Sequence, residues 1–211
     1  MSNIFDLFRQ IAKKNNEKDI VPVSYIVAGL GNPGEKYSGT RHNAGFMAMD
    51  YIADKLEIKI ERSKFSSLCA DTVVGGKRVL FIKPQTFMNL SGQAVHEAAE
   101  FYKIKPENII ILCDDIALDV ARLRVRRNGS DGGHNGLKSI ICQLDNSDFP
   151  RIRIGVGKKP HPDYDLIDWV LGKFSDDDIK ALNGAFPNVY SGLLKILDGN
   201  IDEAMQICNA K

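Results

Sequence analysis

Ile109-Ile110-Ile111-Leu112, followed at once by Cys113-Asp114-Asp115, is the stretch that decides the fold. Three β-branched residues and a leucine leave no polar face, so the run reads as a central strand covered on both sides. Strands of that kind belong to sheets with helices packed against each face. Working outward, similar runs stand at Tyr25–Gly29, Leu68–Val74, Lys77–Ile82 and Ile152–Val156, and Ala121–Arg126 alternates like an edge or half-exposed strand. Gly75-Gly76 joins two of these runs and predicts an antiparallel hairpin within the sheet.

Between the runs the apolar period changes to that of a helix. Phe46, Met49, Ala53 and Leu56 predict a helix from about Asn43 to Leu56, and Val95, Ala98, Ala99 and Tyr102 predict one over Ser91–Tyr102. Further helices are expected over Gly136–Leu144, Leu166–Leu171, Asp177–Ala185, Val189–Leu197 and Asp202–Cys208. Strands alternating with helices give the α/β class: a single domain with a twisted mixed β-sheet flanked by helices. That domain is expected over residues 23–211. Residues 1–22 form an extension in which Ile4, Phe5, Leu7, Phe8 and Ile11 predict a short helix.

The net charge of +1 excludes a uniformly basic nucleic-acid binder. It leaves room for a local patch, and Arg124, Arg126, Arg127 and Lys138, with Arg151 and Arg153, supply one suited to phosphate. No apolar stretch approaches the about 18 residues of a membrane span. The four cysteines show no C-x-x-C spacing and read as buried thiols of a reducing compartment, so the expected location is the cytoplasm.

Ligands bind outside the strand ends of such sheets. At or near those ends stand Asn32 and His42, Asn89, Asp114, and Asn135. An imidazole can serve as a general base near neutral pH. A carboxylate closing a central strand is costly to bury alone, and a histidine N–H is a suitable partner that would also fix the tautomer. Neutral amides can hold a substrate backbone or a developing oxyanion. This set suits hydrolysis by water without a metal. The rival reading, a metal pair at Asp114-Asp115, lacks a third acidic ligand nearby in sequence.

Gly29-Leu30-Gly31-Asn32-Pro33-Gly34 satisfies the G-x-G-x-x-G pattern, but Pro33-Gly34 makes a turn where a dinucleotide-binding helix should already have begun. Gly129-Ser130-Asp131-Gly132-Gly133-His134-Asn135-Gly136 looks like a phosphate nest yet lacks the lysine of a P-loop. Ser91 reads as a helix cap, Phe87 and Met88 as either core or an apolar wall for substrate, and His96 and His161 as surface residues.

Taken together, Gly29–Gly34, Tyr37, Thr40-Arg41-His42-Asn43-Ala44-Gly45-Phe46, Lys83-Pro84-Gln85-Thr86-Phe87-Met88-Asn89-Leu90-Ser91-Gly92, and Asp114-Asp115 with Gly129 to Ile140 resemble the signatures of bacterial-type peptidyl-tRNA hydrolases. The resemblance runs in order from about Tyr25 to Cys208. It implies a monomeric single-domain α/β enzyme without metal or cofactor, whose partner is peptidyl-tRNA and whose reaction is cleavage of the peptide–ribose ester. It implies that His42 is the base and Asp114 its orienting carboxylate. Asn32, Asn89 and Asn135 would position substrate and water, and Tyr37 and Met88 would line the site. Arg126 and Arg153 would meet tRNA phosphate. One departure stands out: where the family usually has a proline and a glycine after Leu118, this chain has Asp119-Val120-Ala121. A non-catalytic RNA-binding relative acting as an assembly factor is the alternative, and it has no need of a His–Asp pair.

Overall fold

The computed structural model describes residues 21–210, so the helix expected near the N-terminus lies outside the described residues. Seven strands form one sheet in the order β2-β3-β4-β1-β5-β7-β6, with β1 Val23–Gly29, β2 Arg62–Lys64, β3 Ser67–Val74, β4 Lys77–Pro84, β5 Ile109–Asp115, β6 Leu123–Arg126 and β7 Arg151–Gly155. The centre is parallel: β1 pairs with β4 and β5, and β5 with β7. Both margins are antiparallel, through β2–β3–β4 on one side and β6–β7 on the other. The mixed sheet read from the sequence is therefore the observed one, with β5 at its heart and buried along its whole length.

The period of the strands sorts the core into two layers. Val27, Phe81, Ile110, Leu112, Ile152 and Ile154 point to one face, where they meet α1 (Ala44–Lys55), α5 (Asp176–Leu197) and α6 (Ile201–Asn209). Ile26, Ala28, Leu80, Ile82, Ile109 and Ile111 point to the other and meet α2 (Ser91–Tyr102) and α3 (Asn135–Leu144). A short helix, α4 (Leu166–Leu171), lies outside both layers and has no buried residue.

Four expectations need correction. The helices expected over Asp177–Ala185 and Val189–Leu197 are one helix, α5, with Pro187 inside it. A proline removes one helical hydrogen bond, yet the apolar stripe Leu182, Phe186, Val189 and Leu193 continues across it onto the core and holds the helix together. Strand β2 was not foreseen, because Arg62-Ser63-Lys64 is exposed throughout and exists only by pairing with β3. Cys142 is exposed, whereas Cys69, Cys113 and Cys208 are buried as expected. Finally, β5 runs on through Asp114 and Asp115 instead of stopping before them.

The departure at Asp119-Val120-Ala121 has a structural consequence. Ala121 adopts φ +64°, a left-handed conformation that a Cβ disfavours. The turn is held there by Ala121 N–H donating to Gly155 O at 3.0 Å and Gly155 N–H donating to Arg122 O at 2.7 Å.

Candidate active site

The site begins where β1 ends. After Gly29, Leu30 N–H still donates to Leu112 O (2.9 Å), and Phe46 N–H donates to Leu30 O (3.1 Å), so the first turn of α1 is drawn against the ends of β1 and β5. Gly45 permits that approach, since a Cβ there would lie 2.4 Å from Leu112 O and 2.6 Å from Leu30 O. Gly29 and Gly31 serve the same packing: their Cβ atoms would strike Gly45 O and the Phe46 ring, both at 2.6 Å. The glycine pattern is thus a device for seating a helix, in keeping with the reading that disfavoured a dinucleotide loop.

A tight turn, Arg41–Asn43, precedes α1 and directs His42 toward β5. His42 Nδ1 lies 2.9 Å from Asp114 Oδ1, and the two residues are 9 % and 3 % exposed. The same oxygen receives a second imidazole, with His134 Nε2 also 2.9 Å away and the ring centroids 5.0 Å apart. His134 is the N-cap of α3, and its Nδ1 accepts from Gly136 N–H (3.1 Å) and Leu137 N–H (3.3 Å). Those two donors require a lone pair on Nδ1, so the proton of His134 sits on Nε2 and is donated to Asp114. Asp114 accepts from His42 as well, so His42 Nδ1 is engaged by the carboxylate and its Nε2 is the ring nitrogen left for another partner.

Burial works to push the Asp114 carboxyl up, but the imidazoles of His134 and His42, by field and by hydrogen bond, outweigh it and hold the group well below the ordinary carboxylate range. One oxygen of Asp114 and the facing nitrogens of both histidines lie within 4.8 Å of one another, a trio that invites a metal. The fit is poor. A metal at His134 Nε2 would need the proton moved to Nδ1, where two backbone N–H groups already point.

Asn32 is held in a different way. Asn43 Oδ1 accepts from Asn32 N–H (2.8 Å) and Asn43 Nδ2 donates to Asn32 O (3.0 Å), clamping its backbone. Its own Oδ1 accepts from Met88 N–H at 2.8 Å. The carbonyl end of the amide is thereby spoken for, and the Nδ2 donors are the end left for a ligand. Arg151, 1 % exposed, donates from Nη1 to Gly129 O (2.8 Å) and Ser130 O (3.2 Å) and from Nη2 to Ser147 O (2.9 Å), fastening the glycine-rich loop that delivers His134.

The expected residues do not all share one hollow. A cleft of about 260 Å³ brings together His42, Asp114, His134, Asn135 and Arg153, with Leu166, Ile167 and Val170 of α4 as its apolar wall. Asn135 also lines an adjoining groove of about 340 Å³ with Asn89. Asn32 lines a third hollow, of about 390 Å³, with Asn43, Lys83 and Gln85. Tyr37 is half-buried, edge-on to the exposed Phe87 ring at 6.3 Å. Arg126 is exposed on edge strand β6, while Arg153 pairs through Nε with Asp115 Oδ2 at 3.1 Å. Met88, expected against substrate, buries its side chain in the core, and its N–H is what faces the site, by way of Asn32.

The model of the family described as Peptidyl-tRNA hydrolase matches residues 26–211. The chain belongs to the peptidyl-tRNA hydrolase family. It is 49 % identical over 185 residues to the Peptidyl-tRNA hydrolase of Caldanaerobacter subterraneus subsp. tengcongensis, covering 88 % of this chain and 99 % of that one. It is 48 % identical over 187 residues to that of Caldicellulosiruptor bescii, covering 89 % and 97 %. The crystal structure of peptidyl-tRNA hydrolase from Acinetobacter baumannii superposes with a TM-score of 0.83 at 34 % identity, covering 90 % of this chain and 96 % of that one.

For this member of the peptidyl-tRNA hydrolase family, reading the sequence missed His134, Asn43 and Arg151 as parts of the site. His134 had a usable signal: it stands immediately before the helix that opens at Asn135, where a side chain able to accept from the helix N–H groups is expected. Asn43 and Arg151 had none, since their contacts are with backbone atoms far away in the chain.

Proposed function

We propose that this chain hydrolyses the ester joining a peptide to the 3′ ribose of tRNA, with water as nucleophile and His42 as general base. The single observation that carries the reading is the buried His42–Asp114 pair at 2.9 Å, which engages Nδ1 and leaves His42 Nε2 for water at the edge of a cleft. Water gives a proton to Nε2 while its oxygen bonds to the ester carbonyl carbon. The carbonyl oxygen becomes an oxyanion, and Asn32 Nδ2 is the donor for it. Collapse expels the ribose 3′ oxygen, which takes the proton back from His42. The products are a peptide acid and free tRNA, with no redox change.

Asn89 and Asn135 are suited to the peptide main chain, whose N–H and C=O groups are common to every sequence, and Tyr37 borders that path. Arg126 and Arg153 take tRNA phosphate. Residues 23–211 form the catalytic unit, acting as a monomer in the cytoplasm, with residues 1–22 as an appended extension. Among the described residues no helix is long and apolar enough to cross a membrane.

The test is turnover of purified peptidyl-tRNA. General-base catalysis contributes about 10²–10⁴-fold, so His42→Ala should lower kcat by at least the lower figure while tRNA affinity stays near that of the parent. Parental turnover in that variant would end the assignment.

A further inference from the structure

Asp114 Oδ1 is shared. Two imidazole N–H groups, from His42 and from His134, converge on one carboxylate oxygen at 2.9 Å each. The two rings differ in what they can do. His42 has an unoccupied Nε2 and can take a proton from water. His134 cannot act that way, because its Nδ1 already accepts from Gly136 and Leu137 N–H at the start of α3. A proton placed there would face two donors and uncap the helix. Nothing in hydrolysis by a single base requires a second histidine on the same oxygen, and a serine or aspartate would cap α3 as well.

We infer that His134 is a positioning residue that acts on His42 through Asp114, its fixed Nε2–H drawing off part of the negative charge that would otherwise hold a proton on His42. A carboxylate that accepts one hydrogen bond pulls harder on its partner than one that accepts two, because each donor spreads the charge. With His134 in place, His42 is oriented by Asp114 without being held as an imidazolium. The neutral base is then available over a wider pH range.

The other charged groups around His42 do not compete for this role. The cleft is lined from β5 by Asp114 and Asp115, from β7 by Arg153 and from the turn before α3 by His134. Arg153 and Asp115 face each other at 3.1 Å. Arg41, beside His42 in the chain, turns its guanidinium onto the Trp169 ring, 3.7 Å from the centroid, with Asp178 at 3.9 Å. Helix α4 adds only Leu166, Ile167 and Val170 to the cleft.

Two substitutions separate the cap from the donor. In His134→Asn the side-chain oxygen takes the place of Nδ1 and keeps α3 capped, but nothing reaches Asp114. In His134→Gln the terminal amide takes the place of Nε2 and keeps the donor, while the cap is lost. The acid limb of the kcat/KM–pH profile should move up by about 0.5–1 pH unit in His134→Asn, a fraction of the strength of one hydrogen bond to a charged group. It should stay at the parental position in His134→Gln, which instead loses thermal stability. An unmoved limb in His134→Asn, or the same shift in both variants, overturns the inference.

The second measurement needs no variant and no turnover. Long-range 1H–15N spectra of the parent protein should show His134 with an unprotonated Nδ1 and a protonated Nε2 throughout the active pH range. The opposite tautomer, or a doubly protonated ring, overturns the inference. It rests on His42 being the base, and the two fail differently: parental turnover in His42→Ala removes the base, whereas the spectra judge His134 alone.

Discussion

Asn32→Asp is the sharpest perturbation of the proposed mechanism, because it keeps the shape of the side chain and alters only the end of the amide proposed to face substrate. The backbone of residue 32 is clamped by Asn43 at 2.8 and 3.0 Å, so the side chain has little freedom to swing away. The oxygen that accepts from Met88 N–H at 2.8 Å survives the substitution. What is lost is the Nδ2 donor pair, replaced by a second acceptor oxygen. Loss of one oxyanion donor costs about 10²–10³ in kcat, or about 2.7–4 kcal/mol of transition-state stabilisation. A carboxylate facing a developing oxyanion adds repulsion, so the upper figure is expected. The bond from Met88 is retained, but Asn32 is buried, so a carboxylate without a partner there also lowers folding stability.

Asn32→Ala is the control. It also loses the donor, but it leaves the Met88 N–H without its acceptor, at a cost of about 1–3 kcal/mol in stability. Single-turnover hydrolysis with enzyme in excess over peptidyl-tRNA reads the chemical step, and thermal unfolding reads the fold. If Asn32→Asp hydrolyses within a few-fold of the parent while binding tRNA equally well, the amide does not face the oxyanion and the reasoning fails.

Three further outcomes follow from the packing. Ala121→Gly should raise stability by up to about 1–2 kcal/mol, because the φ of +64° costs a Cβ that much and costs glycine nothing; a melting temperature at or below that of the parent would contradict it. Gly45→Ala should destabilise by about 1–3 kcal/mol and lower kcat together, since the added carbon lies 2.4 Å from Leu112 O and displaces the turn that carries His42. At pH 8 an alkylating reagent should label the native protein at Cys142 alone, because burial pushes the Cys113 thiol up to about 12 and Cys208 to about 11, which keeps both protonated, and Cys69 is buried; peptide mapping that finds label on Cys113 before unfolding would refute this.

Most of the sheet could be read from the chain because burial on two faces writes itself as runs such as Ile109 to Leu112. Ser91–Tyr102 was legible to the residue because its apolar period is clean, although Ser91, read as a cap, is the first residue inside the helix and donates its hydroxyl to Met88 O at 2.9 Å. His42 and Asp114 could be paired before any coordinates, since a carboxylate at the end of a buried strand demands a partner. What stayed hidden depended on distant backbone. Asn43 and Arg151 bond to carbonyl and N–H groups that carry no side-chain signature. β2 has no hydrophobic pattern of its own. Pro187 breaks a local rule that the core contacts of α5 override. His134 was concealed by glycines, which suggested a phosphate nest where the structure places a helix cap.

The chain contains a single tryptophan, and it is the residue laid against Arg41 at 3.7 Å, with its indole N–H donating to Gly157 O at 3.0 Å. Trp169 therefore sits on the short helix whose Leu166, Ile167 and Val170 line the cleft with His42. Its emission is an unlabelled optical gauge of that helix: docking of an RNA end or entry of a peptide that shifts Leu166 to Leu171 must alter the stacking and so the spectrum. Stopped-flow fluorescence on the unmodified protein can time substrate arrival separately from ester cleavage.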